Sequence, residues 1–186
     1  MLSSVTLVSR ASNVLAQTFW KLVVADRADL LDDLIALLRE RNVRYCLIGG
    51  QAVNAYVEPL ISLDLDVVIA ADQFALVERL LRERFIVEAL PHSLNVSQKG
   101  SALRVQIQTD PRYASFVDRA TIREVLGLSL PVAAIEDVLQ GKVWAATDPG
   151  RRPSKRRKDL LDIERLVESF PHLRALVPQA ILSNFE

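Results

Sequence analysis

Asp64 and Asp66 stand one residue apart in a run, 63–70, where Leu63, Leu65, Val67 and Ile69 alternate with them as a strand would. Side chains two apart on a strand share a face, with Cα atoms about 6.5 Å apart, so both carboxylates can reach one cation. Two neighbouring like charges are costly unless a cation compensates them, and Asp is a poor strand former. Magnesium suits the pair, because it takes one or two carboxylates and fills its other positions with water and substrate phosphates. Upstream, Leu47-Ile48-Gly49-Gly50-Gln51-Ala52 places a glycine pair where an apolar strand gives way to a helix. A backbone without Cβ lets a ligand come close there, and the free N–H groups of a helix start attract anions. An anion cradle followed within one short helix by a metal anchor is chemistry suited to nucleoside triphosphates. The glycines match neither the P-loop, since no Gly-Lys-Ser or Gly-Lys-Thr follows, nor the dinucleotide fingerprint, since its third glycine is missing.

A second concentration of charge lies near the C-terminus. Arg151, Arg152, Lys155, Arg156, Arg157 and Lys158 crowd together after the turn signal Asp148-Pro149-Gly150. Ser154 reads as the cap of the helix that follows, which puts cations in its first turn, against the helix dipole. Asp159 and Asp162 offset part of this, and a bound phosphate or RNA backbone would offset the rest. Lys142 projects from the preceding helix, either as a surface cation beside Glu136 or as a further phosphate contact.

These residues need elements to position them. Leucines at helical spacing predict a helix over 26–41, and 44–48 reads as a short buried strand. A short helix over 50–56 ends near Pro59, and the aspartate strand occupies 63–70. Asp72 reads as the cap of a helix to about 84, 85–90 as an edge strand and 103–109 as another strand. Residues 125–132 are extended or loop-like, and helices follow over 134–146 and 154–170. Strands in the middle with helices at both ends predict an α/β (α+β) domain, a small mixed central sheet flanked by helices. The division expected is an N-terminal arm or helix over 1–25, a core over 26–132 and a C-terminal helical part over 133–186 packed on it.

Composition narrows the class. Of 186 residues half are hydrophobic, enough for a core, and 23 acids balance 23 bases, so net charge points to no partner. Cys46, the sole cysteine, excludes a disulfide framework and reads as packing in a buried strand. His92 and His172 have no ligand spacing around them, which argues against zinc. No apolar run has the length of a membrane helix, and the start lacks the basic stretch of a signal peptide, so a cytoplasmic protein is expected. Tyr113 and Phe116 read as isolated and Trp144 as core, which leaves no aromatic surface for stacking bases.

Gly-Gly-x-Ala, then Ser-x-Asp-x-Asp from Ser62 to Asp66, then a lysine-bearing helix, then Arg-x-Lys-Asp-x-x-Asp-Ile from Arg156 to Ile163, resembles the minimal nucleotidyltransferases of the polymerase-β-like fold. Within them the chain is most similar to the group of AbiEii/AbiGii-type toxins of abortive-infection and toxin–antitoxin systems, over roughly residues 28–170. The resemblance implies magnesium on Asp64 and Asp66, and the triphosphate held at Gly49 and Gly50, with Gln51 and Ser62 beside them. It implies that Lys142 and Lys158 contact phosphates or orient a catalytic group. Asp159 becomes the acidic member of the last motif and Asp162 its structural partner. The activity implied is transfer of a nucleoside monophosphate from a triphosphate to a hydroxyl, on an RNA or tRNA end held by the basic run or on a protein. A cognate toxin or antitoxin protein is an implied partner.

The chain departs from the pattern in two places. Where an arginine often precedes the acid pair it has Pro59-Leu60-Ile61, and where the superfamily carries a third carboxylate it has Gln106, within Arg104-Val105-Gln106-Ile107-Gln108. Glutamine is no anionic base. Asp159, Asp162 or Asp110 takes that place, or the chain binds nucleotide without turning it over efficiently, as a regulator or antitoxin-like partner. An RNA-binding module using the basic run alone is the third reading.

Overall fold

A computed structural model describes residues 28–62, 64–101 and 103–185. The expected N-terminal arm over 1–25 and the first residue of the aspartate strand, Leu63, lie outside the described residues.

One mixed, seven-stranded sheet organises the chain, in the order β3-β4-β5-β2-β1-β7-β6. Its strands are β1 (Tyr45–Ile48), β2 (Asp64–Ile69), β3 (Ile86–Leu90), β4 (Ser93–Ser97), β5 (Arg104–Gln108), β6 (Thr121–Val125) and β7 (Leu128–Val132). The helices are α1 (Ala28–Glu40), α2 (Gly49–Asn54), α3 (Phe74–Arg84), α4 (Ile135–Thr147), α5 (Pro153–Ser169) and α6 (Gln179–Leu182). β2 sits mid-sheet, antiparallel to β1 and parallel to β5, and β1 pairs in parallel with β7. Leu65, Val67, Val105, Ile107, Leu47 and Leu130 are fully buried between sheet and helices, in a core that also takes Leu30, Leu34 and Leu38 of α1 and Ile163 and Leu166 of α5. Among the described residues no helix is long and apolar enough to cross a membrane.

The α/β reading and the central strands stand as expected, and β3 lies at a sheet edge. Five local readings need correction. β4, with Ser93, Asn95 and Ser97 alternating against Leu94 and Val96, has too few apolar residues to stand out, and its pairing with β3 and β5 makes it a strand. The stretch over 125–132 is half of a hairpin with β6, closed at Leu126 and Gly127. Both have positive φ, +57° and +80°, which is the conformation a tight two-residue turn between twisted strands requires. Asp72 caps no helix: it lies within a 3₁₀ turn (Ala71–Gln73), Gln73 precedes α3, and the Asp72 carboxylate pairs with Arg44 at 2.8 Å. Ser154 is no cap either: α5 opens one residue earlier, with Pro153 in its first turn and Arg152 before it. Proline suits that position because the N–H it lacks has no partner there. Tyr113 and Phe116, on a 3₁₀ segment (Pro111–Arg119), are not isolated; they pack edge-on and stacked against Trp144, with the Arg112 guanidinium over the indole.

Candidate active site

The sheet brings the glycine pair and the aspartates together through register. Ile48, the last residue of β1, lies opposite Asp66 on β2, so the chain turns into α2 directly above that carboxylate. Gly49 takes φ +69°, and a Cβ on it would stand 2.0 Å from Asp66 Oδ2 and 2.8 Å from Asp66 Cγ. Only glycine fits, for two independent reasons: the left-handed backbone and the carboxylate beneath it. Gly50 faces the other way, where a Cβ would meet Ser62 Oγ at 2.9 Å and Lys158 Nζ at 3.6 Å. Ser62 is buried, Lys158 donates to its hydroxyl at 3.4 Å, and the buried Gln51 amide donates to its carbonyl at 2.7 Å. Asn54 fastens the intervening loop by exchanging hydrogen bonds with the backbone of Leu60.

Asp64 and Asp66 are both half-buried on one face of β2, while Leu65 and Val67 between and beyond them are buried on the other. Their surroundings differ. Asp64 is held by Lys155 Nζ at 3.1 Å and by Arg104 Nη2 at 3.4 Å. No hydrogen bond reaches the Asp66 carboxylate among the described residues. Burial raises its pKa above the usual carboxylate value; the Lys142 charge opposes this and the Asp64 charge adds to it. A carboxylate so placed, short of donors and next to a second acid, has room in its charge balance for a cation. Among the described residues no group of three or more metal-ligating side chains gathers anywhere. The donor set is therefore two carboxylates, which fits magnesium completed by water and substrate phosphates.

Gln106 pairs in register with Asp66 on the neighbouring parallel strand, and its amide donates to the buried Ser93 hydroxyl at 2.9 Å. The place beside Asp66 on that strand therefore holds a neutral amide and no carboxylate. None of the named substitutes is free to replace it. Asp110 starts the 3₁₀ segment, accepts from the Arg112 backbone and is paired with the Arg112 guanidinium at 2.7 Å, which lowers its pKa. Asp159 and Asp162, 2 % and 1 % exposed, belong to a buried ion cluster. Lys142 reaches Asp159 at 3.0 Å and Asp162 at 2.7 Å; Arg151 pairs with Asp159 at 2.7 Å and Arg165 with Asp162 at 2.9 Å. Burial works against the Lys142 charge, but the two aspartates outweigh it and hold its pKa above the ordinary value. Lys142 is thus neither the surface cation nor the free phosphate contact weighed from sequence. It ties α4 to α5 and casts its charge on Asp66 from within the protein.

The basic run does not act as one patch. Lys158 and Lys155 turn into the site, Arg151 into the ion cluster, and Arg156 donates to the Asp148 carbonyl at the end of α4. Arg152 and Arg157 remain exposed. Sequence reasoning missed Lys155 and Arg104 as partners of Asp64, because no spacing along the chain links residues so far apart, Lys155 by 91 positions. The one available signal was that α5 carries Lys155 and Lys158 three residues apart, hence on one face. Cys46 is buried, its thiol pushed up to about 12 by burial, and His92 and His172 are exposed.

No protein-family model matches the chain, and no curated protein matches it. Solved structures do. The antibiotic-resistance factor ANT(2'')-Ia, in its solution structure, matches with a TM-score of 0.56 at 16% identity, over 87% of this chain and 94% of its own. The same protein in complex with adenylyl-2''-tobramycin matches with a TM-score of 0.56 over 85% of this chain. An antigenic nucleotidyltransferase-like protein from Paracoccidioides brasiliensis matches with a TM-score of 0.53 at 18% identity, over 77% of this chain and 76% of its own. At such identities the likeness shows the fold: the mixed sheet with its flanking helices is the fold of these nucleotidyltransferases.

Proposed function

We propose that this chain is a magnesium-dependent nucleotidyltransferase, moving a nucleoside monophosphate from a triphosphate to a hydroxyl acceptor. The observation that carries the reading is the close approach of Gly49 to Asp66, with Asp64 on the same strand face and Lys158 beside Gly50. Asp64 and Asp66 would hold the ion, which would supply neutralisation of phosphate charge. Lys158 and the backbone at Gly50 would meet the triphosphate, and Gln51 fixes Ser62 in that wall. The acceptor oxygen bonds to the α-phosphorus in line as the bond to the β-phosphate oxygen breaks; pyrophosphate leaves and the acceptor proton passes to water. Most of the acceleration comes from positioning and charge neutralisation. The exposed Arg152 and Arg157 suit an acceptor with a phosphate backbone, such as an RNA or tRNA end. Placement among the abortive-infection toxins, with a cognate protein partner, rests on the resemblance carried by the Arg156 to Ile163 motif and the Gly49-Gly50 pair. The test offers α-labelled triphosphates and magnesium with mixed tRNA or cell extract. Label that moves with the wild-type chain but not with Asp64→Asn supports the reading, and label that moves equally well with both overturns it.

Gln106 favours a second reading, that of a nucleotide-binding regulator with weakened turnover, since a neutral amide occupies the register position beside Asp66. Triphosphate affinity without transfer to any acceptor, together with transfer gained in Gln106→Asp, supports this alternative.

A further inference from the structure

The cation that holds Asp64 comes from far along the chain. Lys155, in the first turns of α5, places its Nζ 3.1 Å from Asp64 Oδ2, while Arg104 approaches the other oxygen at 3.4 Å. Lys155 is not locked there: its side chain is 41% exposed and Asp64 is the only partner it has among the described residues. Three residues on, Lys158 points at Ser62 and Gly50, where the triphosphate would lie. The helix itself is fixed by the buried cluster of Lys142, Asp159 and Asp162, so that Lys155 can swing while its backbone stays put.

We infer that Lys155 is a counter-ion that changes partner: it balances Asp64 while the metal is away and moves to the triphosphate when the metal–nucleotide complex arrives. This rests on the proposed nucleotide site and adds to it a residue the motif did not include. A divalent ion on Asp64 repels an ammonium 3.1 Å from the same carboxylate, and the incoming phosphates supply a new anion within reach of a long, flexible stem. Lys155 therefore opposes the bare metal and favours the metal–nucleotide complex. A purely structural ion pair has no such opposite effects.

The test measures binding, not turnover. Mn²⁺ binding is read by electron paramagnetic resonance on the folded chain, first alone and then with a non-hydrolysable triphosphate. Lys155→Met should tighten Mn²⁺ alone by about two- to fivefold, as expected for losing a part-exposed ion-pair competitor. It should weaken binding of the triphosphate in saturating Mn²⁺ by roughly tenfold, as for losing a charge-assisted contact. Lys155→Arg should stay close to wild type in both. Arg174→Met, which removes an exposed cation beyond the end of the same helix, should leave both unchanged. If Lys155→Met moves both affinities in the same direction, or moves neither, the partner exchange is wrong while the site survives. If the wild-type chain binds neither Mn²⁺ nor the triphosphate, the proposed function falls and this inference with it.

Discussion

Gly49→Ala isolates the contact on which the site depends. The new methyl would lie 2.0 Å from Asp66 Oδ2, 2.8 Å from its Cγ and 3.0 Å from its Cβ. The last distance matters most, because a Cβ cannot swing away from its own backbone. That backbone is clamped by Ile48 opposite on β1 and Gln106 beside it on β5. The alanine also pays for the left-handed conformation at φ +69°, at about 1–2 kcal/mol. Pushing the carboxylate off its rotamer adds about 0.5–1.5 kcal/mol. The sum, roughly 1.5–3.5 kcal/mol, lowers the melting temperature of a chain this long by about 3–14 °C. Most of the stability survives, but the carboxylate that faces the ion is turned aside, so Mn²⁺ binding and label transfer should fall far more than stability does. Gly50→Ala is the milder comparison: its φ is not positive, and its Cβ would turn aside the buried Ser62 hydroxyl from 2.9 Å while meeting only the flexible end of Lys158. It should cost little stability and act mainly on triphosphate affinity. Calorimetry and Mn²⁺ titration on both variants decide the matter. Gly49→Ala with unchanged melting temperature and unchanged Mn²⁺ affinity would refute the packing of Asp66 under the turn and with it the site.

Other expectations follow from the same geometry. Lys142→Met leaves Asp159 and Asp162 buried and short of a partner, a loss of about 3–5 kcal/mol, so its melting temperature should drop by about 10 °C or more. Lys158→Met should melt near wild type yet bind triphosphate more weakly; the reverse pattern in the two variants would exchange their assigned roles. Asp66→Asn in chelator should melt above wild type at neutral pH. A carboxyl whose folded pKa is raised is ionised at a cost to the fold above that pKa, and the cost fades as pH falls back toward the ordinary carboxylate range. The gain should therefore shrink on acidification, and added Mn²⁺ should stabilise wild type but not the variant; a gain independent of pH would mean that charge is not its cause. If turnover is limited by the missing base, Gln106→Asp should raise label transfer by roughly a hundredfold, within the range of general-base effects.

The chemistry of the site was legible where it is local. Gly49 and Gly50 at a strand end, and Asp64 and Asp66 two apart on a strand, need only the period of a strand and the freedom of glycine to be recognised. The buried strands β1, β2 and β5 and the amphipathic helices α1 and α4 announce themselves by apolar spacing. Pairing decided the rest. β4 is a strand because β3 and β5 flank it, and the turn at Leu126-Gly127 exists because β6 lies against β7. Asp72 and Ser154 have the right residue type for caps, but the one lies in a 3₁₀ turn, paired with Arg44, and Pro153 starts the other's helix early.

Charge roles depended most on tertiary structure. Lys142, Lys155 and Lys158 are interchangeable on paper, yet one is sealed with Asp159 and Asp162, one balances Asp64 and one faces Ser62. A residue's type fixes which interactions are open to it, and the sequence alone set that repertoire here: a carboxylate pair, a glycine turn and a surplus of cations nearby. Which cation meets which carboxylate depends on how α5 docks against the sheet, with Leu166 and Ile163 filling the core and Asp159 and Asp162 buried against Lys142 of α4.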